Sequence, residues 1–368
     1  MKKIAYLRAI LSIFIVWLCI TSLVVNAQVA SWSKVPSPTK FTLNSVDVVS
    51  STDGWAVGQG GVIIRWDGKS WNNVTSPTPY NLKSVDVVSS TEGWAVNFRV
   101  DRSDNESIIR WDGTKWNKVA IVGSWNSVYM ISSTDGWAVG PAGRIIYWNG
   151  TSWNNIESPI NSPLQSVFMI NSSDGWAVGW RSSISGINSI LHWNGTSWNI
   201  VESPKIVGTR TLWSVDMVSA TEVWAVGDSG IILRWDGTSW SSVTSPVPVT
   251  KHLFSVDMVN STDGWAVGSD GCIIHWDGGR WSNVTSPTTA WLSCVDMVDS
   301  TDGWIVGADG MYHWQEEGSA YSTDYVIVVV AAVLAVTIIA AGAHVYLKKR
   351  QKRADPDINQ RLMLSESG

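Results

Sequence analysis

The sequence predicts an all-β protein: a seven-bladed β-propeller closed by its own N-terminal strand, followed by one C-terminal transmembrane α-helix. Three observations predict it. First, a unit of the type Ser-Val-Asp-Val-Val, Ser-Thr-Asp-Gly, Trp-Ala-Val-Gly, Ile-Ile-x-Trp, Asp-Gly-x-Ser-Trp recurs along the chain. Second, its second-strand tryptophans, Trp55, Trp94, Trp137, Trp176, Trp224, Trp265 and Trp304, stand 39 to 48 residues apart, the length of a four-stranded blade. Third, the last unit stops after Trp314, and its missing fourth strand stands at the other end of the chain. There Ser31-Trp32-Ser33-Lys34-Val35-Pro36-Ser37-Pro38 repeats the pattern of residues 70–77.

Each piece of the unit has a physical reading. Ser45-Val46-Asp47-Val48-Val49 and its copies are short and rich in β-branched residues. Asp-Gly or Asn-Gly between tryptophans, as in Trp66-Asp67-Gly68-Lys69-Ser70-Trp71, is a hairpin signal, because Gly and Asn/Asp tolerate positive φ. Closure by the N-terminal strand covers an edge that would otherwise template aggregation. The chain has 26 tryptophans. Three per blade account for all but Trp17, Trp125, Trp180, Trp213 and Trp291. The repeated set is expected to pack blade against blade.

The flanks predict export and anchoring. Lys2, Lys3 and Arg8 precede a long apolar run, and Val25 and Ala27 suit a cleavage site, so 1–27 reads as a signal peptide. Residues 28–317 form the propeller and 318–324 a linker. Residues 325–347 are apolar and long enough to span a bilayer. The basic cluster from Lys348 to Arg353 places the tail 348–368 in the cytoplasm and the propeller outside. Residues 28–324 hold 28 acidic and 17 basic side chains, a net −11, which argues against nucleic-acid binding.

The pattern Asp-Gly-Trp-Ala-Val-Gly-x-x-Gly-x-Ile-Ile resembles the BNR-like propellers grouped with photosystem II stability and assembly factors, over residues 31–314. That resemblance implies an extracytoplasmic binding or assembly scaffold. The related Asp-box, Ser-x-Asp-x-Gly-x-x-Trp, is shortened here to Trp-Asp-Gly-Thr-Ser-Trp at 235–240. The arginine triad and Tyr/Glu pair of sialidases are absent from the pattern.

Differences between the copies point to a working face. The turns between strands one and two and between strands three and four are near copies; length varies in the other two connections. Blade two inserts 97–107, with Arg99 and Arg102, and blade four inserts 180–189, with Trp180 and Arg181. Trp125, Trp213, Phe254 and Trp291 lie on or beside the same loops, and binding concentrates on such loops. These eight residues form the expected ligand-binding face.

First-strand acids Asp47, Asp86, Asp216, Asp257 and Asp296, with Tyr129 and Phe168 in the other two blades, read as inter-blade hydrogen-bonding residues rather than a cation site. His192, His275 and His313 fill one slot on separate blades and do not form a zinc site. Cys272 and Cys294 are offset by two strand spacings and are expected to be unpaired and buried. Asn105, in the blade-two insert, is the most accessible glycosylation candidate. No catalytic motif or cofactor fingerprint is present, and no metal or cofactor is expected. The leading expectation is a cell-surface, membrane-anchored module that binds extracellular protein or glycan without catalysis. The rival is a carbohydrate-active enzyme, sialidase-like hydrolase or lyase, using acids on the loop face.

Overall fold

The computed structural model describes residues 30–97, 107–121, 123–180, 189–204 and 210–315, together with Tyr346. Among them the strands form seven four-stranded antiparallel sheets. Blade one comprises Leu43–Ser50, Asp53–Gly58, Ile63–Trp66 and Trp71–Val74. Blades two to six repeat it over 82–119, 127–156, 164–200, 212–242 and 253–283. Blade seven takes three strands from the end of the domain, Leu292–Asp299, Asp302–Gly307 and Gly310–Gln315, and its fourth, Ser31–Val35, from the beginning. Trp32 stands opposite Trp314 and Val35 opposite Met311 in that closing ladder. The expected signal peptide 1–27 and span 325–347 lie outside the described residues, apart from Tyr346. Among the described residues no helix is long and apolar enough to cross a membrane.

The second strands show why the sequence loses its alternation there. From Gly54 to Gly58 every residue is buried, on both faces of the strand. A propeller sheet is covered on each face by a neighbouring blade, so the middle strands have no wet side. Each core cluster therefore draws on two adjacent blades; one joins Trp55, Val57 and Ile63 of blade one to Leu82, Val85 and Trp111 of blade two.

Tryptophan forms these junctions. Trp55 packs against the third- and fourth-strand indoles of the next blade, Trp111 at 4.7 Å and 56° and Trp116 edge-on at 5.3 Å and 85°. The same triad recurs at every junction of the ring. It includes the closing one, where Trp265 meets Trp314 at 4.6 Å and 57° and Trp32 at 5.3 Å and 87°. The fourth-strand indole that belongs to blade seven is thus supplied by the N-terminal strand.

One turn requires glycine twice over. Gly61 has φ +74°, and a Cβ there would collide with the carbonyl of Thr78. The equivalent Gly143 and Gly271 meet the carbonyls of Ile160 and Thr288 in the same way, and Gly230 presses on Val247. These contacts seat each connection between strands two and three beside the following inter-blade loop, on one face of the ring. On the other face Gly68 touches Thr52, so the two near-invariant turns adjoin.

Trp32→Ala removes the indole that completes the closing triad and should destabilise the protein by about 3–5 kcal/mol, the cost of a large core truncation. Deleting residues 28–40 should destabilise it more. Denaturant titration of the full chain checks both; a truncated protein as stable as the parent would mean that the ring does not depend on this strand.

Candidate binding site on the loop face

Three of the expected binding residues come together. Trp213 is the second residue of Leu212–Ser219 in blade five, and Phe254 holds the same place in Leu253–Asn260 of blade six. Trp291 immediately precedes Leu292–Asp299 of blade seven. Trp213 meets Phe254 edge-on at 6.1 Å, and Phe254 meets Trp291 at 6.1 Å. The result is one aromatic row across three successive blades, ending in an indole that is 61% exposed.

Two residues outside the expected set hold this row. Asp228 Oδ1 accepts from Trp213 Nε1 at 2.7 Å, and its Oδ2 accepts the backbone amide of Thr211 at 2.8 Å. His252 Nδ1 lies 3.0 Å from Asp228 Oδ1, and its ring lies flat over Phe254 at 6.2 Å and 9°. In sequence Asp228 reads first as a turn residue, between Gly227 and Gly230. The available signal was position: Asp228 occupies the turn that faces the loop before Leu212.

Trp180 is also exposed, at 47%, and bridges to Thr211. Trp125 is a correction. It is buried at 1% and donates from Nε1 to Ser107 Oγ at 3.0 Å, so it contributes nothing to the binding face. Aligning the copies explains this: Trp125 stands where the other six blades place Leu43, Leu82, Leu164, Leu212, Leu253 and Leu292, all buried. Arg99, Arg102, Arg181 and Asn105 lie outside the described residues.

The first-strand acids join neighbouring blades. Asp47 Oδ2 accepts the amide of Val87 at 2.6 Å, Asp216 that of Met258 at 2.6 Å, and Asp257 that of Met297 at 2.8 Å. Asp296 closes the circle onto Val48 at 2.6 Å. Tyr129 and Phe168, in the blades that lack the acid, pack on each other at 4.4 Å. A parallel ladder of serines does similar work: Ser45 Oγ accepts the amide of Val85, and Ser255 Oγ that of Val295. Cys294 occupies the serine slot of blade seven, with Sγ toward the carbonyl of Val46 at 3.6 Å. Cys272 and Cys294 are both unpaired; Cys272 is buried, whereas Cys294 is partly exposed rather than buried. Its Sγ is nonetheless enclosed, beside Ser255 and the Val46 carbonyl, and loss of solvent there pushes the thiol up to about 12. Among the described residues no group of three or more His, Cys, Asp or Glu side chains is placed to hold a metal ion.

A second repeated device sits between strands two and three. Asp53 grips Arg65 with both oxygens, at 2.9 and 3.0 Å, and the guanidinium lies over Trp55 at 4.9 Å and Trp111 of the next blade at 5.7 Å. Arg110 and Arg234 pair likewise with Glu92 and Glu222. The three histidines fill the same slot, His192 on Asp174, His275 on Asp263 and His313 on Asp302, at 2.6–2.8 Å. Each lies against its own blade's Trp176, Trp265 or Trp304, so they are dispersed around the ring as bases in a structural pair.

No family model matches the chain, and no curated protein matches it in sequence. Solved structures do match. YCF48 bound to D1 peptide is similar with a TM-score of 0.63 and 17% identity, over 78% of this chain and 96% of that one. YCF48 from Cyanidioschyzon merolae gives 0.61 and 19%, over 78% and 98%. The WD40 β-propeller domain of Doa1 gives 0.63 and 12%, over 79% and 99%. The shared feature is the propeller fold. At these identities the likeness does not separate a BNR-type repeat from a WD40 one.

The acid ring makes stability depend on pH. Burial pushes Asp47 up to about 7 and Asp216 up to about 6. It also holds Asp86, Asp257 and Asp296 well above the usual carboxylate range, with repulsion between ring members adding to the shift. Four of the five keep an edge partly exposed, yet burial outweighs that contact. A carboxyl raised on folding stabilises the fold below its unfolded value of 3.8 and loses that contribution as pH rises through the folded value. Stability contributed by Asp47 and Asp216 should therefore fall between about pH 4 and pH 7. His313, lowered by burial, acts in the opposite sense near the top of that window, so the comparison must be with a ring variant. Asp216→Asn should flatten the profile by roughly 2–3 kcal/mol between those limits. Denaturant midpoints measured across the range check this; parallel profiles for parent and variant would refute it.

Proposed function

We propose that the protein is a cell-surface binding module that captures a protein or glycan partner on the loop face without chemical turnover. In this reading residues 1–27 direct export, 325–347 anchor the chain, and 348–368 stay in the cytoplasm. The observation that carries the proposal is the aromatic row. Trp213, Phe254 and Trp291 come from three blades whose scaffolds need none of them, and they meet on the face where the copies diverge. Exposed indoles forgo burial worth roughly 25 cal/mol per Å² of apolar surface, and tryptophan is a common interface anchor. A propeller of the same fold has been solved with a bound peptide, which suits a protein partner.

The strand directions support this choice of face. Blade seven ends its third strand at Gln315, which pairs with Ser31, at the near-invariant turn side of the ring. Gln315, the last described residue of the propeller, therefore lies on the side opposite the aromatic row. Asn105, within the blade-two insert, is the proposed glycan acceptor.

Full-length protein should be labelled by a membrane-impermeant amine reagent on intact cells; labelling only after lysis would refute the surface assignment. Partners identified by a glycan array and by crosslinking on intact cells should bind the Trp180→Ala/Trp291→Ala protein at least about tenfold more weakly, a loss of about 1.4 kcal/mol. Its melting temperature should stay within about 2 °C of the parent, because both rings are exposed. Lys69→Ala and Thr238→Ala, on the turn face, should leave capture unchanged. Normal binding by the double variant would assign the working face to the other side.

A further inference from the structure

The junction between blades six and seven opens into a cleft of about 880 Å³, on the turn side of the ring and apart from the aromatic row. Its lining includes Asp263, Trp265, His275, Asp277, Ser300 and Trp314. These are the copies of a site that is filled elsewhere in the same molecule. At the junction of blades one and two, Asp53 corresponds to Asp263, Trp55 to Trp265, Trp111 to Trp314 and Ser90 to Ser300. There the space is taken by the guanidinium of Arg65. Both Asp53 oxygens hold it, two indoles cover it, and the carbonyl of Ser90 accepts from Nη2 at 3.4 Å.

The two frames have the same geometry. Trp55 to Trp111 is 4.7 Å at 56°, and Trp265 to Trp314 is 4.6 Å at 57°. The edge-on partner stands at 5.3 Å in both. Only the filler differs. His275 is shorter than arginine and engages Asp263 through Oδ1 alone, at 2.8 Å, whereas Asp53 uses both oxygens. The seam differs too. The third and fourth strands of blade seven are the two ends of the domain, so no hairpin joins Gln315 to Ser31. Junction four–five also carries a histidine, His192, but blade five keeps its hairpin, closed by the Asp236 to Ser239 backbone bond. A short filler and an interrupted hairpin coincide at the cleft.

We infer that this cleft is a binding site for a guanidinium group, the arginine side chain of a partner peptide. The second Asp263 oxygen supplies a charge-assisted acceptor, and the Ser300 carbonyl, which also accepts from Trp314 Nε1 at 3.3 Å, another; His275 lies against Trp265, so the π-surface left to a ligand is that of Trp314. Asp277 at the mouth is a further carboxylate, but it already accepts the amides of Gly279 and Arg280 and faces the Arg280 guanidinium at 3.8 Å, so the partner's arginine relies on Asp263. Arginine is favoured over lysine because a planar guanidinium can lie against an indole while donating to both the carboxylate and the carbonyl.

The test uses full-length protein in detergent and three blocked tripeptides, acetyl-Gly-X-Gly-amide with X arginine, citrulline or lysine. Isothermal titration should show the arginine peptide binding in the millimolar range or tighter and at least about tenfold better than its neutral citrulline isostere. Asp263→Asn should weaken it by about tenfold or more. His275→Arg is the decisive variant: it supplies the guanidinium from within, so it should abolish peptide binding while keeping or raising the melting temperature. Trp291→Ala should leave this binding unchanged. No measurable binding of the arginine peptide at millimolar concentration, equal binding of the citrulline peptide, or full binding by a folded His275→Arg protein would overturn the inference.

Discussion

Each pair of neighbouring blades meets through three indoles, one from the second strand of the first blade and two from the third and fourth strands of the next. The geometry repeats closely enough that the triads at Trp55 and Trp265 differ by no more than a tenth of an ångström in either ring separation. An indole hides roughly 150–250 Å² and gains further from edge-on packing. A propeller blade cannot bury its own sheet, because both faces of the middle strands point at neighbours. The indole triad is what makes one blade's face complementary to the next, and seven such junctions leave no free face only if the ring closes. Closure in turn requires an indole at the N-terminus, and Trp32 supplies it.

This constraint divides the molecule into parts that must repeat and parts that need not. The turns at Thr52 and Gly68 pack on each other, and the acid–base pairs brace the third strand against the second. Those positions are copied from blade to blade. The other face is fixed only where glycines such as Gly61 press on the next loop; beyond those contacts its length and composition are free. The aromatic row arose there. Asp228 and His252, extra to the repeat, fix the row's orientation at one end.

Repetition also exposes what is unusual. The acid ring around the first strands uses five carboxyls to hold neighbouring amides, and burial raises all five. The serine slot that becomes Cys294 belongs to a blade at the closing seam, as do two of the three copies, His275 and His313, in which histidine replaces arginine. Copies at those positions contact a strand that comes from a distant part of the chain, and the continuous hairpin found in the other blades is missing there.

The repeat, its strands and its closure were legible in the sequence because each blade carries the same turn chemistry and the same tryptophan spacing. The loop set that carries the divergent residues was legible for the same reason: departures stand out against seven copies. Trp125 looked like a departure and was the large member of an otherwise all-leucine column, buried and with its ring nitrogen satisfied by Ser107. Sequence could place Trp213, Phe254 and Trp291 beside one rim of three successive blades, as a candidate patch, but the ring-to-ring contacts depend on the rotation between successive blades. Nor could it show that Asp228 spans two blades or that the slot around His275 stands open. By itself the sequence determined the blade, its number of copies and the strand that closes them, since these follow from local turn and packing signals. Tertiary structure alone decided which side chains from different blades touch and which slot was left partly empty, because those facts depend on how rigid, already folded blades are set against one another.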